Sequence, residues 1–240
     1  IGEFKMIKVM TIFGTRPEAI KMAPLVKELK KRKEIECIVC VTAQHREMLD
    51  QVLTTFEIVP DYDLNIMHQG QTLTDITTRA IQGLEDIIKE VKPNIILVHG
   101  DTTTTFAGAL AAFYNQVDIG HVEAGLRTYD KYSPYPEEMN RQMVSCLADL
   151  HFAPTKLSAN NLLEEGKNKD RIFITGNTAI DAMKTTVSDN YTNEVLDWVG
   201  KDRMILLTAH RRENLGEPMY RIFKAIKKII DEFDDVKVVY

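Results

Sequence analysis

Two cations, Arg16 and Lys21, follow the first apolar run of this 240-residue chain within "GTRPEAIK". Three acids stand after later apolar runs: Asp101 in "VHGDTTTT", Glu123 in "GHVEAGLRT" and Glu137 in "YPEEMNRQ". A basic cluster, His210, Arg211 and Arg212, follows another in "TAHRRENLG". Guanidinium and ammonium groups suit phosphate oxygens, and a basic cluster just before a helix suits a diphosphate or a nucleotide edge, a surface charge run being the alternative. Carboxylates suit sugar hydroxyls and proton transfer. The combination fits a sugar nucleotide.

Local structure accounts for some of these residues. Thr15 with Glu18 forms a capping box, and Pro17 suits the first turn of a helix. The cations gain nothing there, since each opposes the helix dipole by roughly 0.3–1 kcal/mol. On a regular helix Arg16 and Lys21 point about 140° apart. Pro24 removes an interior hydrogen bond and is expected to kink the helix. Through that irregularity the two cations are expected to converge on an anion at the helix N-terminus; solvated charge is the alternative. Asp101 or Thr102 reads as a helix N-cap. The costly run Thr102–Thr105 is expected either to serve that start or to turn its hydroxyls to a polar ligand. Glu137 and Glu138 suit a helix start, with Glu137–Arg141 an i,i+4 pair. Glu123 has no such explanation, and the loop 124–135 suits a segment covering substrate. His121 reads more readily as a core histidine.

The elements that must position these residues alternate. Strands are expected at 7–13, 35–42, 94–99, 118–122, 150–153, 171–175, 203–208 and 236–240. Helices are expected at 17–32, 45–55, 72–91, 103–115, 136–148, 155–165, 177–188, 192–199 and 217–233. Short apolar strands separated by helices predict an α/β fold of doubly wound parallel sheets, with ligands at the C-terminal strand ends. Residues 1–5 read as an expression scar. A Rossmann-like domain is expected over 6–176, a helical connection over 177–202, and the start of a second Rossmann-like domain over 203–240. A sheet of two strands is not independently stable, so the chain reads as truncated in that second domain.

Composition excludes several classes. The chain is 44% hydrophobic and 27% charged, with a net charge of −5, which gives no reason to expect nucleic acid or an anionic membrane as partner. No apolar run approaches the ~20 residues of a membrane span. Cys37 and Cys40 form a C-x-x-C inside a strand, where the two side chains point to opposite faces. They read as core thiols in a reducing cytoplasm. Metal binding fits poorly, because the histidines lack ligand spacing and the acids lie far apart. No G-x-G-x-x-G follows the first strand, which argues against a dinucleotide.

The segments "FGTRPEAIKMAPL", "TAQHREMLDQVL", "DYDLNIM", "LVHGDTTTTFAGALAAFY", "GHVEAGLRT", "YSPYPEEMNRQ", "RIFITGNTAIDA" and "TAHRRENLG" occur in an order that resembles the bacterial, non-hydrolysing UDP-N-acetylglucosamine 2-epimerases. The resemblance runs from Met6 to Tyr240. It implies two Rossmann-like domains of the GT-B type, a cytoplasmic homodimer, no cofactor and no metal. It also implies interconversion of UDP-GlcNAc and UDP-ManNAc for surface polysaccharide, by anti-elimination of UDP to 2-acetamidoglucal and re-addition. Family chains run well beyond this one, so the chain alone is expected to be inactive. Carried over by position, Arg16, Lys21 and His210 are associated with the diphosphate side, with His210 also counted as catalytic. Asp101, Glu123 and Glu137 are associated with the sugar and the proton transfers. Some members are regulated by a second UDP-GlcNAc. Gln44 matches residues of that site, whereas Glu47 and Gly70 stand where regulated members can carry Gln and Arg.

Overall fold

A computed structural model describes residues 6–43, 46–209 and 215–240. Two compact units divide between Thr186 and Val187.

The first unit alternates strand and helix: β1 (Ile7–Phe13), α1 (Arg16–Lys31), β2 (Ile35–Val41), α2 (Arg46–Thr55), β3 (Tyr62–Asp63), α3 (Leu73–Val91), β4 (Ile95–His99) and α4 (Thr103–Tyr114). It continues with β5 (Asp118–Val122), α5 (Glu137–Leu147), β6 (Leu150–Ala153), α6 (Lys156–Glu164), β7 (Ile172–Ile174) and α7 (Thr178–Thr186). The strands form one parallel seven-stranded sheet in the order β3-β2-β1-β4-β5-β6-β7. Ile12 faces Cys40 on one neighbour and Val98 on the other. The order reverses between β1 and β4, which opens a crevice beyond their C-terminal ends.

Alternate residues of these strands enter two cores, as a sheet covered on both faces requires. Val9, Phe13 and Leu97 pack with Met22, Val26, Leu49 and Val52 of α1 and α2. Met10, Ile12 and Val98 pack on the other face with Leu84, Ile88, Ala111 and Val144 of α3, α4 and α5. Cys37 lies against the first core and Cys40 inside the second, so the two thiols occupy opposite faces. Burial pushes the Cys40 thiol up to about 12.

Helix α1 runs unbroken across Pro24, because the stripe Ala19, Met22, Ala23 and Val26 is fully packed against the sheet. Helix α7 inserts Ala182 into the first core. The unit boundary therefore falls inside the stretch 177–202 that reads as a connection in the sequence. Strand β3 has no counterpart among the expected strands: it is two residues long and lacks an apolar run.

The second unit contains α8 (Glu194–Val199), β8 (Arg203–Leu206), α9 (Glu217–Glu232) and β9 (Val236–Val239). Strands β8 and β9 pair in parallel, Arg203 opposite Val236. Helix α9 buries none of its residues.

Candidate active site

Gly14 leaves β1 at the crevice. A Cβ there would lie 1.9 Å from the Thr42 hydroxyl oxygen and 2.8 Å from that of Thr104, so no side chain fits. The glycine serves close packing of the turn. The next residues behave largely as the capping box requires. Glu18 is buried, and its Oε2 accepts from the backbone N–H groups of Gly14 at 2.9 Å and Thr15 at 2.7 Å. Its Oε1 accepts from the Thr102 hydroxyl at 2.6 Å and lies 3.0 Å from that of Thr105. Glu18 thus joins the N-termini of α1 and α4, a role beyond local helix-start chemistry.

The threonine run is accounted for in the same way. Thr102 caps α4, its hydroxyl accepting from the Thr105 N–H. Thr103, Thr104 and Thr105 are buried. The Thr104 hydroxyl meets Thr42 at 3.0 Å, and that of Thr105 lies 2.6 Å from the His99 carbonyl. The Thr104 and Thr105 hydroxyls therefore point into the protein and not toward a ligand. Buried hydroxyls at the foot of a helix satisfy themselves on nearby carbonyl and carboxylate groups before they can serve anything outside.

Lys21 is the cation that reaches the crevice. Its Nζ donates to Glu123 Oε1 at 2.5 Å. Arg16 is exposed and makes no hydrogen bond or ion pair among the described residues. Glu123 follows β5 with φ of 64°, a left-handed conformation uncommon outside glycine and asparagine. Asn177 donates to the same Oε1 at 3.3 Å, which brings the residue just before α7 to the site. His99 ends β4 with its Nε2 3.8 Å from Glu123 Oε2. His121 lies in the core, with Nε2 donating to the Gly100 carbonyl at 2.7 Å.

Asp101 follows β4 on the same crevice. Arg141 donates from Nη1 to Asp101 Oδ2 at 3.1 Å, and the Asn140 side chain donates to the Asp101 carbonyl at 2.9 Å. Burial raises the Asp101 carboxyl to about 6, with Glu123 and Glu137 adding to the rise and Arg141 and Lys21 opposing it. Glu137 is half-buried at the start of α5 and makes no hydrogen bond or ion pair among the described residues. The expected Glu137–Arg141 pair does not form, because Arg141 turns to Glu138 and Asp101 instead.

Glu138 is fully buried and accepts from Arg141 Nε at 2.7 Å, Gln142 at 2.7 Å and the backbone N–H groups of Thr128 and Tyr129 at 3.1 and 3.0 Å. Burial alone would raise its pKa, but these donors together hold it at about 2. Glu138 therefore ties the 124–135 loop to α5.

Lys21, Asp101 and Glu123 meet at the crevice, and Glu137 acts on it through its charge. Gln44, His210, Arg211 and Arg212 lie outside the described residues. Glu47 is exposed in the first turn of α2, and Gly70 sits in an open turn with φ of 75°. Arg141, Glu138, Asn177 and His99 were not foreseen as part of this cluster. The available signal for His99 was a polar residue closing the apolar run "IILVH"; for Arg141 it was the presence of two acids at three and four residues' distance. Among the described residues no group of three or more His, Cys, Asp or Glu is placed to hold a metal ion, and no helix is long and apolar enough to cross a membrane.

A doubly wound parallel sheet with carboxylates and a lysine over its switch point defines a Rossmann-like α/β protein with a charged crevice. A family profile described as UDP-N-acetylglucosamine 2-epimerase matches residues 27–240. The UDP-N-acetylglucosamine 2-epimerase of Bacillus subtilis is 67% identical over 236 residues, 98% of this chain and 62% of that protein. The S. aureus MnaA–UDP co-structure superimposes with a TM-score of 0.90 at 66% identity, over 98% of this chain and 62% of that one. The Neisseria meningitidis UDP-GlcNAc 2-epimerase bound to UDP-GlcNAc gives 0.87 at 50% identity, over 97% and 65%. The chain belongs to the UDP-N-acetylglucosamine 2-epimerase family. It spans about 62% of the length of its curated Bacillus relative.

Proposed function

We propose that the protein carrying this chain interconverts UDP-N-acetylglucosamine and UDP-N-acetylmannosamine at C2, and that the crevice over β1, β4 and β5 is the sugar side of its active site. The observation that carries this reading is the lysine–carboxylate cluster at the switch point: Lys21 on Glu123, with Asp101 beside them. The relatives with bound UDP and UDP-GlcNAc support the ligand class.

The chemistry needs both kinds of group. The C2 proton is not acidic in the ground state, since C2 adjoins no carbonyl. Cleavage of the C1–O bond gives UDP and oxocarbenium character at C1, and a base then removes the C2 proton to leave 2-acetamidoglucal. UDP adds back to C1 as a proton reaches C2 on the opposite face, which inverts that centre. Cations stabilise the leaving diphosphate; carboxylates stabilise the sugar and move the protons. In this reading Arg16, Lys21 and His210 face the diphosphate, and Asp101, Glu123 and Glu137 face the sugar. Asp101, with its carboxyl near 6, is suited to holding a proton and releasing it near neutral pH. Residues 203–240 begin a second Rossmann-like domain, and the active form is a cytoplasmic homodimer supplying surface polysaccharide. The chain alone is inactive.

Full-length protein mixed with UDP-GlcNAc and followed by NMR tests the assignment. UDP-ManNAc growing to equilibrium is the expected result. Accumulating free ManNAc would point instead to a hydrolysing enzyme, and binding without turnover to a sugar-nucleotide-binding domain. Asp101→Asn, Glu123→Gln and Glu137→Gln are each expected to lower kcat by about 10²-fold or more with little change in binding. Near-wild-type rates in all three would sink the carboxylate mechanism.

A further inference from the structure

Only 3% of the His99 side chain is exposed, and burial lowers its imidazole to about 3. Neither ring nitrogen has a hydrogen-bond partner among the described residues. Its pKa is low because burial disfavours the cation, with the Lys21 charge acting in the same direction. The ring is therefore neutral, with one N–H to donate. Buried polar atoms without partners are rare enough that each calls for a reason.

The reason lies 3.8 Å away. Glu123 gives Oε1 to Lys21 and Asn177, while Oε2 has no hydrogen bond among the described residues. That oxygen faces His99 Nε2 across a gap and Gly100, where even a Cβ would stand 3.6 Å off. An unmatched donor and an unmatched acceptor thus sit about one ångström beyond hydrogen-bond distance. Both belong to strand ends of one rigid sheet: His99 closes β4, and Glu123 follows β5, its register partner. Lys21 is what draws the carboxylate the other way.

We propose that His99 is a positioning residue for Glu123: when Lys21 turns from Glu123 to an anionic group of the ligand, the His99 Nε2–H closes on Glu123 Oε2 and fixes the carboxylate with Oε1 free to accept a proton. The role of Glu123 as a proton-transfer group rests on the function proposed above. The pairing of His99 with Glu123 does not depend on it. The exchange needs no net proton uptake, because the neutral imidazole donates its own N–H. It also explains why the buried ring has no partner among the described residues. A partner supplied by the fold would hold the donor away from Glu123.

Two measurements on the full-length protein decide it. The first uses 15N-labelled histidine without ligand. The expected spectrum shows His99 as the Nε2–H tautomer, and Lys21→Met moves its N–H signal downfield while the other histidines keep theirs. A Nδ1–H tautomer, or a His99 signal indifferent to Lys21→Met, overturns the proposal. The second is steady-state epimerisation by His99→Phe, which keeps the volume, and His99→Gln, whose amide nitrogen occupies the Nε2 position. His99→Phe is expected to lower kcat about tenfold to a hundredfold with KM within about twofold, and His99→Gln to recover most of the loss. Equal impairment of the two variants, or wild-type kcat in His99→Phe, overturns it. Wild-type protein that fails to epimerise refutes the functional reading instead, and the 15N spectra then decide on His99.

Discussion

Asp101 shows how one residue records the conflict between folding and chemistry. Its carboxyl sits at about 6 because burial and two nearby acids, Glu123 and Glu137, outweigh the attraction of Arg141 and Lys21. The native state therefore binds a proton that the unfolded chain, with an ordinary aspartate near 4, gives up. Above pH 6 the ionised group costs stability, and that cost is relieved as the pH falls from 6 toward 4. Asp101→Asn is expected to raise the thermal midpoint at pH 8, by a stability gain on the order of 1–3 kcal/mol, and to leave it nearly unchanged at pH 4. Thermal unfolding at the two pH values checks this. An equal effect at both would mean that packing or the Arg141 contact decides, with ionisation playing no part. The strained backbone at Glu123 belongs to the same pattern, in which local stability is given up where charge must be held ready.

At the scale of elements, two buried glutamates do the joining. Glu18 fastens the starts of α1 and α4, so the helix carrying Lys21 and the loop carrying Asp101 keep fixed spacing. Glu138 fastens α5 to residues 128 and 129 of the loop beside the crevice. Its pKa is depressed to about 2, so its contribution is present above the ordinary glutamate value of 4.5 and is lost as the pH falls from 4.5 toward 2. Glu138→Gln is expected to destabilise the protein at pH 7 by on the order of 1–3 kcal/mol. The same variant is expected to flatten the acid side of the stability curve. Chemical denaturation between pH 7 and 3 checks both; a variant that loses stability in parallel with wild type down to pH 3 would show that the carboxylate charge is not what holds the loop.

At the scale of the whole molecule, the two units differ in how they are stabilised. The first closes two cores around seven strands. Among its described residues the second has two strands and an α9 that buries nothing, below the three or more strands a sheet needs for independent stability. Residues 1–186 expressed alone are expected to unfold cooperatively, and residues 187–240 alone to give the circular dichroism of a largely unfolded chain. A stable, cooperatively melting 187–240 fragment would overturn that contrast. The alternation of strand and helix was legible along the chain because parallel strands buried on both faces are short apolar runs, which β1, β4 and β5 are. Strand β3 was not legible, since two residues held by neighbours carry no pattern of their own. Helix α7 was legible as a helix but not as a part of the first unit, because its packing rests on Ala182 reaching a core assembled largely from residues 9–58, over a hundred positions earlier.

The sequence by itself determined the element types other than β3, the opposite-face placement of Cys37 and Cys40, the capping box at α1 and the chemical types at the strand ends. All of these follow from interactions within a few residues or from a simple period. Only the tertiary structure decided the partners. Lys21 lies 102 positions before Glu123, and Arg141 lies 40 after Asp101. No spacing rule reaches across such intervals; the strand order does, by bringing the ends of β1, β4 and β5 together. The same long-range geometry turned the threonines of α4 inward, sent Arg141 to Asp101 and Glu138, and left His99 unpaired beside Glu123.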